Sequence, residues 1–420
     1  MRRLFRQAWY DMRHQPVIGI VTVIGTALSI FLIMIVVMMQ AVKVEPFAPE
    51  SNRDRILYGK YLHLQWDNGS DGSSSADYPT TKQFYGDLKS AETTTIYTGA
   101  FTQPVAVAGK SPLMRYVKST DGEFWKVFDY RFIAGAPYDT SARQGNFAVI
   151  SESVARELYG TSDAVGREIL INDWPFQVSG VVADATPLAR EGYSEIFIPL
   201  SQRQIQPGEN HFGWDIFAAI LARSADDFPA IRAEVQARKQ AFDRQLREEG
   251  IKLVDHGSPF TQEEILTIQG SNGDSGAEDE RRARYILYAI LLLVPAINLS
   301  TMTQSRLRRR RSEIGVRRAF GATRPEIIRG ILAENLMVTL AGGVAGLLLS
   351  ALFGYFFSDM LFGINYISRH IDVSWGMILN WKVFLTALLF CFLLNLLSSG
   401  IPAWRASRVN PVDAINSRNL

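Results

Sequence analysis

Arginine is the residue type with the clearest chemical potential in this 420-residue chain, because many arginines fall in one short stretch. The segment from Arg308 to Gly330 reads RRRRSEIGVRRAFGATRPEIIRG. Dense arginine clusters are typical of surfaces that bind phosphate groups. The net charge of the whole chain is only +2, so the clustering is local. The stretch predicts a binding surface for nucleic acid, for anionic lipid or for a protein partner.

No constellation of catalytic residues accompanies the arginines. The AGKSP segment at 108–112 resembles the end of a phosphate-binding loop, but Pro104 stands where that loop needs glycine, and Pro112 interrupts the helix that should follow. The histidines are scattered without metal-ligand spacing: His14, His63, His211, His256 and His370. The single cysteine, Cys391, excludes an intrachain disulfide. We therefore expect no catalytic, metal or cofactor site.

Long apolar runs in the sequence indicate the surroundings in which the arginines lie. Val17 to Met39 run 23 residues without a charge, a helix of roughly 35 Å, which is enough to cross a membrane. This run is too long for a cleaved signal peptide, and no small-x-small cleavage site follows it. Three further runs occupy the last third of the chain. Soluble core helices rarely stay apolar on every side over such lengths, so we predict four transmembrane helices.

The orientation of these helices follows from the positively charged loops. Arginines crowd the N-terminal tail, the segment at 305–329 and the C-terminal tail, whereas the short loop at 358–377 has only Arg369. Both termini are therefore expected in the cytoplasm of a bacterial inner membrane, and the large region at 43–282 outside. Nucleic acid is excluded as a partner, because the cytoplasmic arginine loop is too short to form a nucleic-acid-binding domain.

The predicted fold class is a membrane protein with four transmembrane α-helices, one before and three after a large extracytoplasmic α+β domain. An amphipathic helix at 1–16 lies on the cytoplasmic leaflet, unless it is a solvated basic tail. The remaining segments are the first span at 17–42, the external domain with its stalk at 43–282, the second span at 283–304, the arginine segment at 305–329, the third span at 330–357, a short external loop at 358–377, the fourth span at 378–401 and a tail at 402–420.

Within the external domain, several local patterns predict secondary structure. The stretch at 56–66 reads as one strand, 68–79 as a polar loop, and 121–135 as a helix that ends at Gly135. The stretch at 147–160 reads as a buried strand, an N-cap at Ser151 and a helix that closes at Gly160. The stretch at 167–184 reads as two strands joined by a tight turn. A polar helix at 226–249 is expected to support the core rather than fill it.

The arginine segment has its own helix-stop-helix pattern. Ser312 to Phe320 predict a short helix, Gly321 ends it, and Thr323 with Glu326 predicts a capping box that starts the next helix. A signal for topology alone would need the arginines but not this pattern, which favours a compact protein-binding knob. In the third span, Gly342, Gly343 and Gly346 form a small-residue face, which suits dimerisation and packing within one chain equally well.

The chain resembles the MacB/FtsX-like permeases of ABC transporters over nearly its whole length. RRRRSEIGVRRAFGATRPEIIRGILAEN is similar to the family's R-EIG-R-A-GA segment, and PAWRASRVNPVDAI is similar to its closing pattern. FAVISESVARELYG, VGREILINDWPFQVSGVV and IFIPLSQ resemble the MacB-type periplasmic core domain. Unlike MacB itself, no nucleotide-binding domain precedes the first span, so we expect the ATPase in a separate chain.

The resemblance implies a function. The family's coupling helix docks in a groove of the ATP-binding subunit, and the matching positions are Glu313, Ile314, Gly315, Val316, Arg317, Arg318, Ala319, Gly321 and Ala322. ATP and Mg would be bound by that partner, and this chain would be a non-catalytic permease that works beside a second copy or a paralogue. A periplasmic adaptor, an outer-membrane channel and membrane lipid are further expected partners.

Four functions remain open on this basis. The family resemblance favours efflux of macrolides, antimicrobial peptides or similar compounds, driven by mechanotransmission across the membrane. Release of lipoproteins and control of cell-wall hydrolases use the same frame. A membrane-anchored sensor or scaffold is the alternative from a different class, but the cytoplasmic segments are short for an output domain.

Overall fold

The computed structural model describes residues 16–138, 146–201, 203–213, 215–268, 276–309 and 311–362, together with a few positions between 385 and 404. These residues divide into two compact units, of which one is the mixed α/β region from Lys43 to Glu280 and the other is helical. The helix predicted at 1–16, the fourth span at 378–401 and the tail at 402–420 lie wholly or largely outside the described residues.

The described helices and strands are as follows in chain order. The helices are α1 (Pro16–Val44), α2 (Tyr78–Tyr85), α3 (Phe124–Val127), α4 (Glu152–Tyr159), α5 (Phe228–Glu248), α6 (Gln262–Ile265), α7 (Ala277–Arg309), α8 (Arg311–Ala319), α9 (Arg324–Phe356) and α10 (Ser358–Phe362). The strands are β1 (Ile56–Gly59), β2 (Tyr61–Trp66), β3 (Asp71–Ser75), β4 (Thr93–Thr98), β5 (Phe101–Ala106), β6 (Leu113–Thr120), β7 (Phe132–Gly135), β8 (Phe147–Ser151), β9 (Glu168–Ile171), β10 (Trp174–Val182), β11 (Ile196–Pro199), β12 (Ile216–Leu221) and β13 (Ile251–Val254).

The helical unit contains apolar helices of membrane length. Among the described residues, two stretches are long and apolar enough to cross a membrane, Val23–Val44 in α1 and Thr339–Phe356 in α9. The two helices pack together through Ile30 and Met34 of α1 and Leu347 of α9. Phe31 and Phe353 meet edge to face with ring centroids 5.5 Å apart. Helix α7 runs without a break from the predicted stalk into the predicted second span.

The α/β unit is built on one large sheet with the strand order β1-β12-β4-β6-β11-β8-β10-β9-β5. Because β5 also pairs with β6, the six strands β5, β6, β11, β8, β10 and β9 form a closed circle. Apolar residues from all six strands and from α4 share one buried cluster, which includes Val105, Ile150 and Val178. The closed circle is therefore a core of its own.

The remaining strands carry two further cores. Strands β1, β12 and β4 continue the large sheet, and β13, β2 and β3 form a separate three-stranded sheet. Helices α2 and α5 pack against this region in a cluster that includes Leu57, Phe84 and Phe242. A third cluster is rich in aromatic side chains, among them Tyr97 and Phe124. Together these clusters confirm an α+β domain.

Two of the local predictions are confirmed. Ser151 occupies the N-cap position of α4 with extended backbone, and Gly160 ends the helix in the left-handed region at φ +73°. The Ser151 side chain, however, makes no capping hydrogen bond. Strands β9 and β10 form the predicted hairpin, in which Asn172 and Asp173 have φ of +50° and +65°. Positive φ at both turn residues is typical of a two-residue hairpin turn.

Two strand and loop predictions are wrong. The chain at 56–66 does not form one strand, because it leaves the large sheet after Gly59 and enters the three-stranded sheet at Tyr61. The segment predicted as a polar loop contains β3, whose serines pair with β2. Backbone hydrogen bonds need no apolar side chain, so a DGSSS sequence can form an edge strand even though its composition predicts a loop.

The helix predicted at 121–135 is also wrong. It lasts only from Phe124 to Val127, after which Phe128 is fully buried and β7 begins at Phe132. A Cβ at Gly135 would lie 2.2 Å from the carbonyl oxygen of Ser179, so Gly135 allows the close approach of β7 to β10 rather than ending a helix. Tertiary packing of the aromatic residues therefore overrides the helical pattern.

The prediction that the polar helix does not fill the core is wrong as well. Ile231, Val235, Phe242 and Leu246 of α5 are buried on one face. Their spacing of four, seven and four residues is that of a helix stripe that faces a core. Lys239 lies on the same face, and its ammonium group is 2.7 Å from Asp255 Oδ1. One ion-paired lysine therefore interrupts an otherwise apolar face, which makes this face hard to recognise in the sequence.

Candidate functional site

The arginine segment forms two helices joined by a sharp corner, as its sequence pattern predicts. Helix α8 ends at Ala319, and Gly321 follows in the left-handed region at φ +93°. The Ala322 amide donates to the Arg317 carbonyl over 3.0 Å. Helix α9 then begins with a capping box formed by Thr323 and Glu326. The corner holds α8 in a defined position relative to the first turns of α9.

Helix α8 has an inner face that fixes it to α9. Ile314 is buried, with 7% of its surface exposed, and it forms a small cluster with Ile327 and Ile331 of α9. Gly315 is buried as well. The contact with α9 is apolar and local, so it depends on Ile314 rather than on the arginines.

The outer face of α8 is apolar and exposed. The exposed fraction is 44% for Val316 and 89% for Phe320, which follows one turn later. Ala319 and Arg317 are exposed beside them. An almost fully exposed phenylalanine is unusual on a polar surface and is typical of a protein-contact site. Phe320 is absent from the residues carried over from the family motif, although its spacing from Val316 was a usable signal.

Charged groups lie around the corner between α8 and α9. An acidic side chain stabilises the first turn of α9, and arginines make the surrounding surface basic. Hydrogen bonds from the Thr323 backbone and hydroxyl hold the pKa of the Glu326 carboxyl below its usual value. Arg324 and Arg329 are exposed nearby. Glu313 and Arg318 lie in α8, but the structure does not describe their side chains. The described part of the segment thus presents an apolar tip among cationic groups.

The glycine face of α9 packs against α1 of the same chain. A Cβ at Gly342 would lie 2.8 Å from Cβ of Thr26, and one at Gly346 would lie 2.6 Å from the carbonyl oxygen of Ala27. Gly343 is buried too. Of the two uses that the sequence left open, the structure therefore supports packing within one chain.

Two of the scattered histidines come together in the fold. His63 Nδ1 lies 2.8 Å from His256 Nε2, and the two rings are stacked with centroids 5.1 Å apart. His63 Nε2 is 3.2 Å from Asp71 Oδ2. This contact cannot be predicted from the sequence pattern, because β2 and the end of β13 are distant in the chain. Within the described residues, no group of three or more His, Cys, Asp or Glu is arranged to hold a metal ion.

Comparisons with protein families agree with this architecture. The family model of the MacB-like periplasmic core domain matches residues 18–238, and that of the FtsX-like permease C-terminal region matches residues 285–411. The first match covers the closed circle of strands, and the second covers α8 and α9. The chain is therefore an inner-membrane protein with a large domain outside the membrane.

Named relatives support the same assignment. The macrolide export ATP-binding/permease protein MacB of Burkholderia cenocepacia is 26% identical over 303 residues, which are 71% of this chain and 41% of that protein. The uncharacterized ABC transporter permease YknZ of Bacillus subtilis is 25% identical over 64% of this chain and 60% of its own length. The chain thus matches about two fifths of the MacB relative. It belongs to the MacB/FtsX-like family of ABC transporter permeases.

One solved structure aligns with part of this chain. The periplasmic region of MacB from Actinobacillus actinomycetemcomitans aligns with a TM-score of 0.33 and 13% identity, covering 47% of this chain and 90% of that one. The family assignment depends on the sequence matches and not on this alignment. Permeases of ABC transporters are generally non-catalytic, and both matched models describe permease segments.

Proposed function

We propose that this chain is the permease subunit of an ABC transporter that couples ATP hydrolysis in a separate ATPase subunit to movements of its external domain. Those movements drive export by mechanotransmission, without passing substrate through a charged channel in the membrane. Residues 305–329 are the coupling segment, and ATP and Mg are bound by the ATPase partner. The two family matches support the class of transporter.

The proposed topology has four spans and both termini in the cytoplasm. Its support is the distribution of arginines, which crowd the tails and the segment between the second and third spans. The same distribution supports a location of residues 43–282 outside the inner membrane. Two permease copies, or this chain and a paralogue, work with two ATPase subunits.

The observation that carries the proposal is the exposed pair Val316 and Phe320 on a helix whose inner face is fixed to α9. A short helix that docks in a groove needs a rigid base and an apolar anchor. Ile314 supplies the base and Phe320 the anchor. The arginines beside the anchor orient the contact and also interact with anionic lipid.

The proposed cargo is a macrolide, an antimicrobial peptide or a similar compound, because the relatives include proteins named for macrolide export. A periplasmic adaptor and an outer-membrane channel would complete such a pathway. Lipoprotein release and regulation of cell-wall hydrolases are the alternatives within the same superfamily. A membrane-anchored sensor or scaffold is the alternative if no ATPase binds.

The first test is co-purification of the detergent-solubilised chain with a co-expressed ABC ATPase from the same organism. Phe320→Ser removes the apolar anchor and leaves every arginine in place. Truncating an aromatic anchor costs about 2 kcal/mol of binding free energy or more, which is roughly 30-fold in Kd. We expect Phe320→Ser to release the ATPase and Val316→Ser to weaken its retention.

The matched control is Trp174→Ser, which removes another exposed aromatic side chain, 68% exposed, from the external domain. This variant should retain the ATPase as the wild type does. If the wild type retains no ATPase, or if Phe320→Ser binds it as tightly as Trp174→Ser does, the coupling role is wrong and the sensor or scaffold alternative is favoured.

A further inference from the structure

The end of α1 is held by a buried arginine of the external domain. Arg53 has 2% of its surface exposed and lies in a short 3-10 turn just before β1. One of its terminal nitrogens, Nη1, donates to the carbonyl oxygens of Lys43 over 3.5 Å and Glu45 over 3.2 Å. The last carbonyls of a helix have no partner inside the helix, so a cation placed there satisfies them and interacts favourably with the helix dipole.

The other donors of Arg53 reach different parts of the external domain. Its Nε lies 2.5 Å from Glu50 Oε2, and its Nη2 donates to the carbonyl oxygen of Leu188 over 2.6 Å. The guanidinium carbon also lies 4.0 Å above the centre of the Phe47 ring. A single planar group therefore joins the helix end, the turn that follows it and the loop at 188–192.

That loop is itself fixed to the core of the domain. Glu50 Oε1 accepts hydrogen bonds from the amides of Glu191 and Gly192 over 2.8 and 2.7 Å. The Glu191 carboxylate in turn accepts from Lys60 over 2.5 Å and from the hydroxyl of Tyr97 over 2.9 Å. Tyr97 belongs to the aromatic core cluster. Arg53 is thus linked through Glu50 and Glu191 to a side chain of the buried core.

A second side chain binds the same helix carbonyl. The Gln262 amide nitrogen in α6 donates to the Lys43 oxygen over 3.0 Å, and Gln262 is buried with 5% exposure. Lys43 is therefore held by two side chains that are remote from each other in sequence. Buried ion pairs are rarely retained for stability alone, since apolar replacements are often as stable, and their best-attested benefit is a defined geometry.

We propose that Arg53 is a positioning residue that fixes the last turn of α1 to the external domain, so that a movement of α1 is passed to the domain and not lost in the connecting residues 45–52. This inference rests on the proposed transporter function. A lysine cannot replace Arg53 in this role, because an ammonium group lacks the planar fork that reaches three carbonyls and a carboxylate together.

The test uses the full chain assembled with its ABC ATPase in lipid nanodiscs. In a Cys391→Ser background, a spin label at Trp174→Cys reports the distance between the external domains of the two permease copies, with and without ATP and vanadate. The wild type should show an ATP-dependent change in that distance. Arg53→Met and Arg53→Lys should lose at least half of the change while ATPase retention and hydrolysis stay within about twofold of the wild type.

Arg55→Met is the matched control, because Arg55 lies in the same 3-10 turn but contacts Asn52, Glu92 and the Ala222 carbonyl instead of the end of α1. It should leave the change in distance intact. Gln262→Met is a milder variant that removes one hydrogen bond to Lys43 and keeps the ion pair between Arg53 and Glu50. The same measurements can be made on this variant if Arg53→Met fails to fold. Hydrogen exchange of the amides at 43–48 should accelerate about tenfold in Arg53→Met and less in Gln262→Met.

The outcomes separate this proposal from the function on which it rests. An unchanged distance response in Arg53→Met, or unchanged exchange at 43–48, overturns the positioning role and leaves the transporter function standing. A wild type that retains no ATPase or shows no ATP-dependent change overturns the transporter function, and the role of Arg53 in transmission with it. Loss of the response in Arg53→Met but not in Arg55→Met supports both.

Discussion

Asp121 follows directly after β6, and its carboxyl lies in buried surroundings that disfavour a negative charge. Burial raises the pKa of its carboxyl to about 6 from an ordinary value of 3.8. The hydroxyl of Thr95 and the amide of Ile96 donate to it over 2.6 and 2.7 Å, which offsets only part of the cost of burial. The protonated form is therefore favoured in the folded state compared with the unfolded chain.

This pKa predicts a specific pH dependence of folding. A carboxyl whose pKa is raised by folding contributes stability below its unfolded pKa, and that contribution is lost as the pH rises through the folded value. The window runs from about pH 4 to about pH 6. We expect the thermal midpoint of the purified wild type to fall relative to that of Asp121→Asn across this window. The shift in pKa corresponds to at most roughly 3 kcal/mol.

The quantity to follow is the difference in thermal midpoint between the wild type and Asp121→Asn, because other carboxyls titrate in both proteins. Asp226→Asn is a suitable control, since Asp226 is exposed and lies just before α5, apart from the buried surroundings of Asp121. Parallel pH profiles for wild type and Asp121→Asn would show that Asp121 is ionised without cost in the folded protein.

The close packing of α1 against α9 makes the glycine face of α9 sensitive to added side-chain volume. Gly346→Ala places a methyl group 2.6 Å from the backbone oxygen of Ala27, so the helices must separate. Overpacking of this kind typically costs about 1–3 kcal/mol. We expect a lower thermal midpoint in detergent for Gly346→Ala.

Gly330→Ala is the matched control in the same helix, because a Cβ there meets nothing within 4 Å. Alanine in place of glycine inside a helix stabilises it by up to about 1 kcal/mol. The two variants should therefore shift the midpoint in opposite directions. Equal midpoints would mean that α1 and α9 do not meet through this glycine face.

Elements with strong local signals could be predicted from the sequence. The hairpin of β9 and β10 has two turn residues that tolerate positive φ, and α4 has both a cap position and a terminal glycine. The corner between α8 and α9 was predicted for the same reason, from Gly321 and the capping box. In each case the residues that define the element are neighbours in the chain.

The elements that the sequence does not predict depend on contacts that the composition of each segment does not reveal. Strand β3 exists because β2 offers it a backbone ladder, and Phe124 to Val127 is short because Phe128 joins a core made by other strands. The contact between His63 and His256 is non-local, and so is that between Arg53 and Leu188, whereas Arg53 and Lys43 are ten residues apart. The exposure of Phe320 could be predicted only in part, since spacing gives a face but not its neighbours.

We expect the α/β unit to fold as a fragment without the helices. Its cores are formed by buried residues between Ile56 and Phe260, which all lie within the unit from Lys43 to Glu280. We expect a fragment of residues 43–280 to be soluble and to unfold in one cooperative transition, followed by near-UV circular dichroism. A fragment with a broad transition and no near-UV signal would show that the helices are needed for its folding.

The closed circle of strands also affects how the domain behaves beside other copies of itself. A closed circle has no free strand edge, and unpaired edges are where sheets from different molecules join during aggregation. The three-stranded sheet has edges at β13 and β3, and the β3 sequence, DGSSS, offers an incoming strand no large apolar side chain. The edge of β1 is occupied at Tyr58, which exchanges both backbone hydrogen bonds with Phe260. The domain is therefore protected from edge-to-edge aggregation at these positions when many copies are crowded outside one membrane.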